Sequence, residues 1–465
     1  MYNLPSMREL HLSATQLVDA LLKFDAARRV AILDSCGRAG GNSRYLIAGV
    51  DAAESGEVFC RSAAEANDAL RTLTEKIKRK PFDESLLAET PPAEFLPLCV
   101  VTFAYEMGLL FENIATQHIN DTKEPTMTYA VYKTVFVHDY VTGKTFIAGE
   151  NIETVIEDAR RVSDVERSIN SVQAQPAIAK SNFTQTEYCE AVEAVQRHIA
   201  VGNIYQANLT QQLNCKLHVA DSVENVFRRL RETNPAPFAA FIRRAEDVVI
   251  SASPERFLEV QSPKSNAQSP GIIVTSPIKG TRRRGQNSVE DEQLRRELET
   301  SRKDRAENVM IVDLLRNDLG RVCEFGTVEV TELCRIETHP TLFHLVSTIK
   351  GRLRADVSLY DILKATFPCG SITGAPKIRA MRIIDETEKS ARGLSMGAIG
   401  CLGASGSLNL SVAIRTATVR GDTAIFNVGG GIVAGSDPLA EYEESLLKAK
   451  ALLRAFNATL PIDFK

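Results

Sequence analysis

The order of elements along the chain predicts an antiparallel α+β fold rather than a doubly wound parallel sheet. Three observations predict it. Strand-like and helical runs do not alternate in the regular series that a parallel sheet with crossover helices requires. A stretch of alternating apolar and polar residues turns back on itself at a Thr-Gly pair, as an antiparallel hairpin does. The 465 residues are 44% hydrophobic and 25% charged, an ordinary globular composition that suffices for about two or three domains.

Taken from the N-terminus, LSATQLVDALLKF has helical periodicity and leads into the apolar strand RVAILDS, a glycine-rich turn over 36–42 and a second strand, RYLIAGV. Residues 95–111 form the longest apolar run. Pro97 and Glu106 interrupt it, it falls short of the about 20 apolar residues of a membrane span, and it reads as a pair of core strands. The hairpin pattern occupies 126–149. The polar stretch 168–187 reads as a linker, giving an N-terminal domain over 1–170, a linker over 171–185 and a larger region over 186–465 that merges with the first. In that region strands are expected at 208–217, 238–241, 248–251, 326–330 and 424–428, and helices at 188–201, 289–319, 358–367 and 439–456. The polar insertion 261–271, with two prolines, reads as a surface loop.

Charge and cysteine usage exclude several classes. Lys and Arg number 55 against 59 Asp and Glu, a formal net charge of -4, so no global positive field exists to hold nucleic acid or an anionic membrane. The 9 cysteines are scattered, with no CxxC pair, and the first residues carry no secretory leader; reduced thiols in a cytoplasmic protein are expected.

Two acid pairs stand out. Asp304 and Glu307 are three residues apart in a helical run and share a face, and Glu441 and Glu444 repeat that spacing near the C-terminus, with Lys448 one turn on. Two helices that each offer an acid pair can hold one hard cation such as Mg²⁺ through oxygen. Spacing alone equally describes two solvated helix faces. Gly429, Gly430 and Gly431 follow a strand and expose backbone N–H groups to an anion, or simply form a turn or bulge. GSITGAPK (370–377) offers hydroxyls at Ser371 and Thr373 and opens a helix with Pro376 in its first turn, but it is not the GxxxxGK[ST] phosphate loop, which removes a nucleotide triphosphatase. His344 lies in an apolar run and reads locally as a core histidine. Lys279, between an apolar residue and a glycine at a strand end, reads as a snorkelling lysine or as one that meets an anion or acts as a neutral nucleophile. Arg282 to Arg284 read as a solvated turn.

Taken together, SASPERF (251–257), SPIKGT (276–281), KDRAENVMIVDLLRNDLGRV (303–322), FHLVSTI (343–349), FPCGSITGAPKIRAM (367–381), AIRT (413–416), GGGIV and EYEESLLKA resemble the chorismate-utilising enzyme family. The match runs in the family's order over roughly 184–453. It implies antiparallel β-sheets packed face to face at the core with helices outside, and the substrate chorismate. Within the family the chain is most similar to the aminodeoxychorismate synthases, which aminate C4 on the way to p-aminobenzoate and folate. Lys279 of PIKGT is typical of that branch, where the 2-aminating anthranilate synthases carry alanine. Gln206 in GNIYQANLTQ stands where water-using members resemble one another in having a lysine base, so ammonia is the implied attacker.

The resemblance also implies roles. Mg²⁺ sits on Glu307 and Glu444, with Glu441 and Asp304 in or near its inner shell. Glu255 is the general acid and Lys279 the covalent nucleophile at C2. Arg415 and the amides of Gly429, Gly430 and Gly431 hold carboxylates, while Gln206, Thr281, His344, Thr373 and Lys448 line the substrate. No glutaminase motif is present, so a separate glutamine amidotransferase subunit or solution supplies ammonia. A 2-aminating enzyme and a catalytically silent chorismate-binding subunit are the alternatives. Three positions depart from the family pattern: Cys401 replaces a usual tyrosine, and Asn409-Leu410 a usual Asp-Thr. They are expected to flank the substrate's side-chain carboxylate. An effector pocket near Leu33 to Ser35 is left open.

Overall fold

The structure, a computed structural model, describes residues 6–37, 44–78, 97–118, 124–163, 175–261, 271–339 and 342–461. The expected loop over 262–270 and the linker over 171–174 lie outside the described residues, as does most of the glycine-rich turn.

A 20-stranded sheet forms the centre, and its strands pair antiparallel throughout. One short parallel pair, Ala458–Thr459 with Ala177–Ile178, stands apart from it. The expected hairpin is present as Met127–Asp139 and Lys144–Gly149, in register from Thr134 opposite Gly149 to Asp139 opposite Lys144. From this hairpin the sheet extends in two directions and folds back on itself. In one direction Tyr45–Val58, Ala31–Asp34, Phe238–Arg243, Val248–Ser253, Thr416–Arg420, Thr423–Ile432 and Gln206–Lys216 pair in succession. In the other, Leu98–Phe103, Ala398–Leu402, Leu408–Val412, Arg256–Gln261, Ile272–Ser276 and Leu342–Arg352 do so. The second half ends with Ile278–Arg283 and Glu329–Thr338, which both pair with Leu342–Arg352.

The inner faces of the halves enclose one apolar cluster, in which Ala240, Ile242 and Val249 of the first half meet Val100, Ile399 and Cys401 of the second. Each outer face is covered by helices. Ala14–Leu22, Ile152–Ser163, Val223–Thr233 and Pro438–Ala455 bury their apolar sides on the first half. Ala63–Lys78, Arg302–Gly320 and Leu359–Thr366 cover the second, while Lys377–Thr387 buries Ala380, Ile383 and Ile384 with Ala207 and Leu209 of Gln206–Lys216. This is the layered α+β arrangement expected from the sequence. Among the described residues no helix is long and apolar enough to cross a membrane.

Several local expectations need correction. The run over 95–111 is one strand, Leu98–Phe103, followed by a helix, Glu106–Phe111, rather than two strands. Every residue of that strand is buried, so no period marks where it stops. The helix expected over 289–319 is broken at Ser301, whose extended backbone (φ -61°, ψ 108°) ends Ser288–Thr300 and whose hydroxyl accepts from the Asp304 N–H to start Arg302–Gly320. The strand expected at 326–330 runs instead over Glu329–Thr338. Residues 177–181, read as linker, form two short strands. Pro376 is the residue before the helix Lys377–Thr387, not part of its first turn. The three glycines lie inside the strand Thr423–Ile432 rather than after it. Arg282, Arg283 and Arg284 are not a free turn; they pair with Asp304, Glu290 and Asp291 respectively.

One buried ion pair fixes the helix Arg302–Gly320 against the segment that precedes Lys377–Thr387. Lys377 Nζ donates to Asp318 Oδ2 at 2.6 Å and to the Thr366 carbonyl at 2.7 Å. Lys377→Met leaves Asp318 buried without its cation and is expected to cost about 3–5 kcal/mol, read as a lowered urea midpoint. Adding Asp318→Leu should recover part of the loss, and an unchanged midpoint in the single variant would remove the pair from the stability of this junction.

Candidate active site

The chain passes between the two halves of the sheet twice at one place. Val248–Ser253 leads into Arg256–Gln261 through Glu255, and Leu408–Val412 leads into Thr416–Arg420 through Arg415. The two passages are held side by side by backbone bonds, from Val412 N to the Glu255 carbonyl and from Ala252 N to the Arg415 carbonyl, both 3.1 Å. The Ser253 hydroxyl donates to the Val412 carbonyl at 2.6 Å and accepts from the Glu255 N–H at 3.3 Å. Arg415 adopts a left-handed backbone (φ 50°), an uncommon conformation for a non-glycine residue and one that aims its side chain out of the ladder. Among the described residues its guanidinium makes no ion pair, and burial lowers its pKa, which suits a partner that arrives from outside the chain.

Glu255 is 4% exposed, and its Oε1 has no hydrogen-bond partner among the described residues. Burial raises its pKa, with the Ser371 hydroxyl and the Lys279 charge only partly opposing the shift, so the carboxyl holds a proton above the ordinary carboxylate range. Lys279, on Ile278–Arg283, donates from Nζ to the Ser371 carbonyl at 3.1 Å. Burial lowers its pKa, and Lys448 adds to that, against the opposing pull of Glu255 and Glu307. An amine that loses its proton easily and an acid that keeps one thus face each other across Ser371.

The acid pairs come from two helices on opposite halves. Glu307, half-buried on Arg302–Gly320, has its pKa raised by burial and by the negative charges of Asp304 and Glu441, while Lys279 and Lys303 oppose. Glu441 is buried and accepts from the Ser436 hydroxyl at 2.7 Å. Glu444 is half-exposed and paired with Lys448 at 2.8 Å; burial raises its pKa, but Lys448, Lys303 and Lys279 outweigh this and hold it below the ordinary range. Lys448 also donates to the Gly429 carbonyl at 2.9 Å. A Cβ on Gly430 would stand 3.1 Å from Glu441 Oε2, 3.5 Å from Lys448 Nζ and 3.8 Å from Glu444 Oε1, so a bare backbone is what lets these groups converge. Carboxylate oxygens are the donors Mg²⁺ takes, and the set fits it by chemistry. Asp304 is occupied by Arg282 at 3.0 Å, and among the described residues no three His, Cys, Asp or Glu side chains already stand at ion-holding distance.

The remaining wall is neutral. His344 is buried, and its pKa is pushed down to about 3 by burial and by the nearby charges of His339 and Arg415, so the ring is uncharged. Its Nδ1 lies 2.9 Å from the Thr281 hydroxyl, directly across the strand pair. Thr373 is fully buried and donates to the Cys369 carbonyl at 3.1 Å. Gln206, 2% exposed, lies against Gly431, where a Cβ would come within 2.0 Å of its Nε2.

A family model described as chorismate binding enzyme matches residues 40–454. The chain belongs to the chorismate-binding enzyme family. It is similar to anthranilate synthase component 1 of Aquifex aeolicus (strain VF5), with 34% identity over 441 residues, 90% of this chain and 85% of that protein. It is also similar to aminodeoxychorismate synthase component 1 of Klebsiella aerogenes, 38% identical over 371 residues, 79% of each chain. Among solved structures, anthranilate synthase component I from Streptococcus pneumoniae TIGR4 superposes with a TM-score of 0.73 at 29% identity, covering 90% of this chain and 93% of that one.

In this chorismate-binding enzyme the three departures from the family pattern lie on the paired strands Ala398–Leu402 and Leu408–Val412. Cys401 and Asn409 face each other across a strand pair and line a separate cavity of about 120 Å³ beside Leu33, Asp34 and Ser35; Leu410 is buried in the core. Sequence reasoning also passed over two residues. Ser371 touches both Lys279 and the acid side of the site, its hydroxyl 3.3 Å from Cys369 Sγ. Arg392 is 3% exposed and donates to the Ile372 carbonyl at 2.9 Å and to the Asn208 carbonyl at 2.5 Å, tying the Ser371 turn to the Gln206 strand. Ser371 was visible as a hydroxyl in GSITGAPK; the only local mark of Arg392 is Glu388 four residues before it, with which it forms a buried ion pair at 2.7 Å.

Replacing Arg415 by Met removes the unpaired cation while keeping the aliphatic stem. Chorismate binding is expected to weaken by about 1.5–3 kcal/mol, roughly ten- to a hundredfold in Kd by titration calorimetry, and an unchanged Kd would take Arg415 out of the site.

Proposed function

We propose that this chain aminates chorismate at C4 with ammonia, giving 4-amino-4-deoxychorismate for p-aminobenzoate and folate synthesis, and that a separate glutamine amidotransferase subunit supplies the ammonia in the cytoplasm. The observation that carries the reading is Lys279, whose amine is made less basic by burial and set beside Glu255, whose carboxyl burial makes less acidic. Hydroxide is a poor leaving group, and Glu255 can donate the proton that lets it depart as water. The Lys279 amine attacks C2, the N–C2 bond forms, the ring π electrons shift and the C4–O bond breaks. Ammonia then adds at C4 and the C2–N bond breaks, freeing Lys279. Two allylic displacements replace one difficult substitution.

Glu307 and Glu444 would hold Mg²⁺, with Glu441 and with Asp304, which shares a helix with Glu307, in or near its inner shell. When bound, the ion supplies Lewis-acid stabilisation of charge at the ring carboxylate. Arg415 and the amides of Gly429, Gly430 and Gly431 orient the substrate's carboxylates, and Thr281 and neutral His344 hydrogen-bond near the ring without adding charge. Thr373 and Lys448 close the wall on either side. Gln206 cannot deprotonate water, which favours ammonia, already a nucleophile. Similarity to aminodeoxychorismate synthase component 1 and to anthranilate synthase component 1 supports amination of chorismate, and Lys279 carries the choice of C4 over C2.

Product identity decides between them. Incubated with chorismate, Mg²⁺ and an ammonium salt, the purified chain should yield 4-amino-4-deoxychorismate by mass and retention time; anthranilate as the product would overturn 4-amination. Lys279→Ala should abolish this activity, and full 4-amination by that variant would remove the covalent step.

The pH profile reads the pair directly. Burial moves Lys279 down and Glu255 up, so the reactive combination of neutral amine and protonated acid is bounded by one titration on each side, and kcat/KM is expected to be bell-shaped. Glu255→Gln should lower kcat by about 10²–10⁴ and leave a single limb. A full bell in that variant would show that another group is the acid.

A further inference from the structure

We propose that the buried Arg392–Glu388 pair positions Lys279, by fixing the turn over 370–373 against whose Ser371 carbonyl the amine rests. This deepens the amination reading and rests on it. The turn comes just before Gly374–Ala375, which pairs with Ala207 and Gln206. The Asn208 N–H donates to the Thr373 carbonyl at 2.7 Å, and there the ladder ends. The next two carbonyls belong to Ile372 and Asn208, residues only 4% and 8% exposed. One guanidinium takes both, Arg392 Nη1 donating to the Ile372 carbonyl at 2.9 Å and Nη2 to the Asn208 carbonyl at 2.5 Å. Arg392 thus stands in for the rung that the departing turn cannot supply.

The guanidinium is itself held on every side. Its Nε donates to Glu388 Oε2 at 2.9 Å and its Nη2 to Glu388 Oε1 at 2.7 Å, so each guanidinium nitrogen has a partner. Glu388 Oε1 also accepts from the Thr210 N–H at 2.7 Å and the Thr210 hydroxyl at 2.9 Å, which ties the pair to the strand of Gln206. The Tyr105 ring lies beneath the guanidinium, 4.5 Å from its centre. Glu106 Oε1 accepts from the backbone N–H groups of Arg392 at 2.8 Å and Gly393 at 3.2 Å. Backbone and side chain of Arg392 are therefore gripped by one short segment, Tyr105-Glu106.

What this frame holds is one peptide away from the nucleophile. The Ser371 carbonyl, which accepts from Lys279 Nζ at 3.1 Å, and the Ile372 carbonyl belong to consecutive peptide groups, so a shift of one moves the other. Near-attack geometry tolerates little such movement. A lysine at 392 would bring a charge but not a planar fork able to bridge two carbonyls. The same device occurs once more, far from the site. Arg243 is buried and donates to the Phe24 carbonyl at 2.7 Å, the Leu22 carbonyl at 3.2 Å and Glu224 at 2.9 Å, but the segments it joins carry no site residue. Arg243→Lys is therefore a matched control for loss of stability alone.

Two readouts test the assignment: steady-state amination with an ammonium salt, and the rate at which cyanate carbamylates Lys279 at neutral pH, followed by peptide mass. Arg392→Lys is expected to lower kcat about ten- to a hundredfold while KM for chorismate stays within about threefold. Carbamylation of Lys279 should slow about fivefold, because water admitted beside a loosened turn lets the amine keep its proton. Tyr105→Leu removes only the ring beneath the guanidinium and should move both readouts the same way by a smaller factor; it decides the matter if Arg392→Lys does not fold. Arg243→Lys should lower the melting temperature and leave both readouts at wild-type values. Wild-type kcat and carbamylation in folded Arg392→Lys or, failing that, in Tyr105→Leu would overturn the proposal, as would an equal loss of both in Arg243→Lys. If carbamylation responds as expected but the wild type forms no aminated product, the positioning of Lys279 stands and the amination reading falls.

Discussion

The site depends on two chain passages that cross between the halves of the sheet at one point. A backbone that leaves a sheet indoors must find partners for its N–H and C=O groups away from water, and here the passages satisfy each other through Val412, Glu255, Ala252 and Arg415. Their backbones are thereby fixed, while their side chains are left with unused hydrogen-bonding capacity in a dry place. Burial pushes the Glu255 carboxyl toward its protonated form, and among the described residues the Arg415 guanidinium makes no ion pair. Lys279 arrives on an adjoining strand and is made less basic by the same dryness. Fold and reactivity share one cause, the exclusion of water from a crossing.

Around that crossing the charges are arranged by sign. The acids sit on two helices, Arg302–Gly320 and Pro438–Ala455, one from each outer layer, and the cations Lys303 and Lys448 interleave with them. Gly430 is the point where this works sterically, since a methyl group there would crowd the Glu441 carboxylate. A net charge of -4 for the whole chain conceals this local balance of acids and cations.

What could be read from the sequence was whatever repeats or stays local. The hairpin, the capped helices and the antiparallel class follow from period and turn chemistry. The boundary inside 95–111 does not, because a strand buried on both faces has no alternation to lose. Ser301 carries a helix-starting hydroxyl within an otherwise helical run, and only tertiary packing shows that it divides two helices. Motif residues such as Lys279, Glu255 and Glu307 were legible through resemblance. Arg392 was not, since its partners Asn208 and Ile372 lie 184 and 20 residues away and no spacing rule reaches them. Arg282 was misread for the same reason, with its carboxylate on a helix 22 residues downstream.

The pairing of Gln206–Lys216 with Thr423–Ile432 joins segments separated by some 207 residues, with the Lys216 ammonium reaching the Thr423 hydroxyl at 2.9 Å. Contacts of such sequence separation form slowly, because a long loop must close before they are rewarded. The strand with the three glycines and the helix with Glu441 and Glu444 are also translated after every other part of the site. A chain still emerging from the ribosome therefore holds Lys279 and Glu255 before Glu441, Glu444 and the three glycines have been made.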